Sequence, residues 1–250
     1  MDPIVIVLLT VTALLAGTVD AIAGGGGLIT LPALLAAGLP PHVALGTNKG
    51  QSVWGSGAAL VAFWRAGKVE RDRAWWMFLL GLGGSLAGAQ LVLLVAPFTL
   101  RPIVIGMLIG AAVLLMVKKP QRDEDAPASS SVAWIIAALA VTIGAYDGFF
   151  GPGTGTFLIV GFVALCGMTM VRATANAKVI NFASNLAAVG AFASAGSVMW
   201  KVALPMAAGQ LVGGLVGARL AMKGGAKLIR IMVLVVSGAL VAKLGYDLIR

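Results

Sequence analysis

Ten apolar runs of roughly helical length, parted by short polar joints, leave this chain one environment in which to fold. They lie at 3–22, 26–39, 42–64, 74–97 and 101–117, and again at 131–150, 153–167, 170–195, 202–221 and 228–246. Of the 250 residues, 60% are hydrophobic and 11% charged, with mean hydropathy +1.00. A soluble domain is about one-quarter charged. In hydrocarbon the backbone has to satisfy its own hydrogen bonds, so the predicted class is an all-α polytopic membrane protein. The second and seventh runs, about 15 residues each, fall short of a span and read as short or broken helices.

The net charge of +9 does not point to nucleic acid, because the basic residues are scattered singly between apolar runs. The lone cysteine, Cys166, excludes an internal disulfide and a cysteine metal cluster; it reads as a small buried hydrophobe, and neither metal nor cofactor is expected. Only Asp2 is charged ahead of the first run, so 4–15 is expected to stay as a span rather than leave as a signal peptide.

The second half repeats the first. Asp20 is matched by Asp147, and Gly24, Gly25, Gly26 and Gly27 by Gly151, Pro152, Gly153 and Thr154, at an offset of 127. From Lys49 and Lys178 onward the offset is 129, and it carries Ser52 to Asn181, Gly84 to Gly213, Gly88 to Gly217 and Arg101 to Arg230. We therefore expect two homologous repeats, 1–117 and 132–250, joined by a cytoplasmic linker at 118–131 that is rich in Pro, Ser and mixed charge. If all ten runs cross, the repeats are inverted 5+5. Twelve of the 18 basic residues then fall on the cytoplasmic side and four outside, with Lys49 and Lys178 inside the membrane. A parallel 4+4 arrangement splits them ten to six, so the positive-inside bias favours inversion.

Three constellations carry chemistry. The glycine breaks, with Gly155 continuing the second, precede short helices whose free N–H groups suit an anion; the bland alternative is a tight turn between packed helices. Lys49 lies with Thr47, Asn48, Ser52 and Ser56, and Lys178 with Asn176, Asn181, Ser184 and Asn185. At helical spacing each lysine heads a polar stripe. An intramembrane lysine implies a carboxylate or an anionic ligand as partner, unless it snorkels from a helix end. Asp20 and Asp147 read as proton carriers, as neutralisers of the lysines, or as caps of the next helix. His42 reads as a surface residue at a helix start. Trp64, Trp75 and Trp76 read as an interfacial belt. The small-xxx-small pairs Gly84/Gly88 and Gly213/Gly217 read as packing inside the bundle or as a homodimer contact.

Two modules, each with a glycine break, a following run like LITLPALL and a Thr-Asn-Lys or Asn-x-Lys knot, resemble the TauE/SafE sulfite exporter family over essentially the whole chain. The resemblance implies a proton-driven exporter of sulfite or a small organosulfonate in the bacterial inner membrane, binding its anion between the repeats. The residues by themselves point to a small oxyanion and leave open an anion channel or a carrier of another carboxylate or sulfur oxyanion. One histidine and one distant cysteine give no catalytic cluster, so an enzyme is not expected.

Overall fold

The computed structural model describes residues 1–96, 98–100, 102–103, 106–107 and 131–249, with the backbone alone for 131, 230 and 233–249. The run at 101–117 falls almost entirely outside the described residues, and so does the linker at 118–131 apart from its last residue.

The described residues are helical and connected by turns. They form α1 (Pro3–Ala23), α2 (Gly27–Ala36), α3 (Pro41–Arg65), α4 (Arg71–Leu93), α5 (Ser131–Phe149), α6 (Thr154–Cys166), α7 (Met170–Ser194) and α8 (Trp200–Ile249), the last interrupted at Gly225, where φ is 55°. Four stretches are long and apolar enough to cross a bilayer: Pro3–Ala23, Arg71–Leu93, Val132–Phe149 and Trp200–Ile229. On α1, Ile4, Leu8, Val11 and Leu15 recur at helical spacing and are all more than half exposed, the pattern of a face turned to lipid. α3 and α7 are as long but too polar to meet that test, and they run through the middle of the bundle with their polar residues buried.

Contacts between helices fix their directions. Gly209, Gly213 and Gly217 meet Thr10, Leu14 and Thr18 in that order, so α8 runs parallel to α1. Gly50 meets Ala203 and Gly55 meets Gln210, so α3 runs with them. Gly84 and Gly88 meet Val141 and Ala145, while Gly81 meets Ile180 and the Ser85 hydroxyl donates to the Ser184 carbonyl, so α4, α5 and α7 share a direction. Gly46 meets Phe192 while Gly57 meets Phe182, which sets α3 against α7. Thus α1, α3 and α8 run one way and α4, α5 and α7 the other. Because α1 and α3 are parallel, α2 returns the chain between them; α6 does the same between α5 and α7. At 10 and 13 residues these helices are only ~15 and ~20 Å long, against a hydrocarbon core of ~30 Å.

The small-xxx-small glycines are used inside the bundle, Gly84 and Gly88 against α5 and Gly213 and Gly217 against α1. Cys166 is buried, as expected. His42 is not a simple surface residue. It is half-buried, with Nε2 3.1 Å from the carbonyl oxygen of Val92, where the start of α3 passes the end of α4. Trp64 and Trp75 are exposed beside the 66–70 turn, and the Arg71 guanidinium lies 5.5 Å from the Trp64 ring centre.

Two apolar clusters hold the ends together. One gathers Phe63, Met77, Ile136, Phe162 and Met170 toward the 66–70 turn; the other gathers Leu34, Leu45, Val92, Phe192 and Met206 toward the 195–199 turn. A polar layer lies between them.

Candidate functional site

Each half contributes a break in a helix to that layer. α1 ends at Gly24, whose φ of 79° a side chain would strain, and α5 is followed by Gly151 at φ 100°. The two breaks touch: Gly24 packs on the backbone of Gly155 and Thr156, leaving no room for a Cβ. The Thr156 hydroxyl donates to the carbonyl of Ala23 at 2.6 Å.

The lysines of α3 and α7 reach across to the carboxylates of the opposite half. Lys49 Nζ lies 2.7 Å from Asp147 Oδ1, with both side chains at most 3% exposed. Lys178 Nζ lies 2.9 Å from Asp20 Oδ2 and also donates to the Asp20 carbonyl at 2.5 Å. Charges this deep persist only when paired and hydrogen-bonded. Asp147 has further support, since the Thr154 hydroxyl donates to Oδ1 at 2.9 Å and the Ser184 hydroxyl to Oδ2. Asp20 has less: its Oδ1 accepts the Gly26 N–H at 3.3 Å, and its side chain is 20% exposed. Both aspartates therefore neutralise a lysine, and each also braces the glycine break that follows it.

Between the pairs is a cavity of about 20 Å³, lined almost wholly by polar groups. That is room for about one water. Asp20, Gly24, Gly26, Gly27, Asn48, Lys49 and Ser52 come from the first half, and Asp147, Gly151, Thr154, Gly155, Asn181, Asn185 and Gln210 from the second. Thr30 donates to Asn48 Oδ1 at 2.6 Å, fixing the amide beside Lys49.

Other residues of the expected stripes lie elsewhere. Thr47 and Asn176 sit two positions before their lysines, about 200° around the helix, and face away. Each instead fastens a turn of the other half. Thr47 Oγ1 accepts the Met199 N–H at 3.0 Å, and Asn176 Oδ1 accepts the Glu70 N–H at 2.9 Å. Ser56 is bonded to its own helix at Ser52 and Val53, and Ser184 is spent on Asp147. Gly25, Gly153 and Lys178 are buried but do not line the cavity. Gln210 was not singled out by the sequence. Its signal is that of a lone amide in the apolar run at 202–221, masked because its counterpart in the first half is Gly81. Among the described residues no cluster of three metal-binding side chains occurs.

The family model described as "Sulfite exporter TauE/SafE" matches residues 9–244. The chain belongs to the TauE/SafE family. Among curated relatives, "Probable membrane transporter protein ORF9" of Sinorhizobium sp is 43% identical over 239 residues, covering 96% of this chain and 92% of the relative. "Probable membrane transporter protein YfcA" of Escherichia coli strain K12 is 41% identical over 249 residues, with 99% and 92% covered. A "Probable membrane transporter protein" of Haemophilus influenzae is 38% identical over 234 residues, with 93% and 91% covered. No solved structure matches the chain. This TauE/SafE protein is thus a multi-pass membrane transporter, and its crosswise ion pairs lie where the two halves meet.

Proposed function

We propose that the chain is a secondary active transporter that exports a small anion, sulfite or an organosulfonate, across the bacterial inner membrane in exchange for the energy of the proton gradient. The single observation that carries this reading is the Lys49–Asp147 pair at the edge of a polar cavity. The ammonium is the group an anion seeks, and Asp147 already occupies it. An entering anion competes with that carboxylate. The anion and Asp147 are thus alternative partners of one ammonium.

Two inverted repeats suit this reading. By the offsets of 127 and 129, α1, α3 and α4 correspond to α5, α7 and α8, and each runs opposite to its counterpart. The cavity is too small for a four-atom oxyanion, so loading requires one of the flanking apolar clusters to part while the other stays shut.

Purified protein in proteoliposomes tests the proposal through sulfite flux under an imposed pH gradient. Wild type is expected to move sulfite against its own gradient. Lys49→Ala and Lys178→Ala, checked for folding by size exclusion, are expected to lose about tenfold or more in apparent affinity, because a hydrogen bond to a charged group is worth ~1.5–3 kcal/mol. Ohmic sulfite current indifferent to the pH gradient would make the protein a channel. Unchanged transport in both alanine variants would remove the lysines from the mechanism.

A further inference from the structure

One polar group at the cavity is used neither by the ion pairs nor by the hydrogen bonds around them. Gln210 of α8 is 3% exposed and lines the cavity, yet none of the described residues hydrogen-bonds its side chain. The carboxamide is not sealed off like Gln51 Oε1: its nitrogen and oxygen open on the cavity and are available to whatever enters. It is also deliberately housed. A Cβ on Gly17 of α1 or Gly55 of α3 would press on the Gln210 carboxamide oxygen, and both positions are glycine.

The feature breaks the resemblance between the halves. The residue equivalent to Gln210 is Gly81, which packs against Ile180; the residue equivalent to Ile180 is Gln51. At this one position α4 and α7 carry Gly81 and Ile180, where α8 and α3 carry Gln210 and Gln51. Gln51 is itself fully buried, and its Oε1 has no hydrogen-bond partner. The lysines differ in the same sense, because Lys49 lines the cavity and Lys178 does not.

We infer that Gln210 is a substrate-contacting, specificity-determining residue: its amide N–H donates to an oxygen of the anion drawn to Lys49, seating the anion off-centre, on the α3–α8 side. This rests on the reading of the cavity as the anion site. An amide suits the task because it offers a donor without adding charge to a layer whose two lysines and two aspartates already balance. A carboxylate at the same place would repel the anion.

The test is sulfite flux in proteoliposomes across a pH series for wild type, Gln210→Leu, Gln210→Glu and Gln210→Asn, with Ile180→Val as a control for the opposite crossing. Gln210→Leu is expected to raise the half-saturating sulfite concentration about tenfold or more. Gln210→Asn, which keeps the amide, recovers part of that loss. Gln210→Glu loses flux at neutral and alkaline pH and regains it on acidification more steeply than wild type, as the new carboxyl protonates and becomes a donor. Ile180→Val stays at the wild-type value. If Gln210→Leu fails to fold, the pH profile of Gln210→Glu decides. A half-saturating concentration and pH profile like wild type in the folded variants, with only yield or melting temperature changed, would reduce Gln210 to a packing residue and overturn the inference while leaving the anion site standing. A wild type that carries no sulfite would overturn the anion reading, and this inference with it.

Discussion

Lys49 and Lys178 occupy equivalent places, but their partners are held to different degrees. Asp147 is buried under a lysine and two hydroxyls, whereas Asp20 keeps part of its side chain open and meets Lys178 through its backbone carbonyl as well. Removing one member of a fully buried pair leaves an uncompensated charge, at a cost of about 3–5 kcal/mol. Asp147→Asn is therefore expected to lower the thermal unfolding midpoint in detergent markedly. Asp20→Asn should cost less, since the carbonyl still holds Lys178. The reverse order would show that Asp147 is not the anchored member. The lysines, aspartates and glycine breaks were legible in the sequence because each is anomalous in an apolar run. Thr47 and Asn176 lie off the cavity because proximity in sequence is not a shared face: two positions along a helix turn the side chain nearly to the far side. Gln210 was hidden because its equivalent is a glycine, so a search by repetition passes over it.

At the scale of helices, close approach does the packing. Gly84 and Gly88 let α4 lie against the α5 backbone, and Gly213 and Gly217 do the same for α8 on α1. Gly88→Leu has no space to enter at the carbonyl of Ala145, so we expect a loss of folded protein of at least the ~1–3 kcal/mol typical of overpacking. Thermal unfolding and size exclusion read it: a variant as stable as wild type would contradict the packing. Helix positions were legible from hydropathy, and α2 and α6 from their shortness. What hydropathy alone could not give is that α3 and α7, of 25 residues each, survive in a membrane by being wrapped. Their lysines, with Thr47 and Asn176, are satisfied by the opposite half, while Ser56 bonds its own helix and Asn48 and Ser184 find partners in their own half.

For the whole molecule, the opposed directions of corresponding helices put the 66–70 and 195–199 turns at opposite ends of the bundle. Single cysteines placed at Lys68 and Ser197, in a Cys166→Ala background, should react with an impermeant thiol reagent from opposite sides of the membrane, position 68 from the cytoplasm. Labelling of both from one side would exclude inverted repeats. The crosswise pairing of lysine and aspartate makes the halves interdependent, and on the function proposed above it makes anion binding a contest with a carboxylate. That contest leaves a signature in affinity. Calorimetric titration of sulfite into purified wild type, Asp147→Asn and Lys49→Ala reads it directly. Removing the competing carboxylate in Asp147→Asn is expected to tighten sulfite binding about tenfold or more, and removing the ammonium in Lys49→Ala to weaken it as much. Sulfite binding unchanged in both variants would contradict the contest between anion and carboxylate.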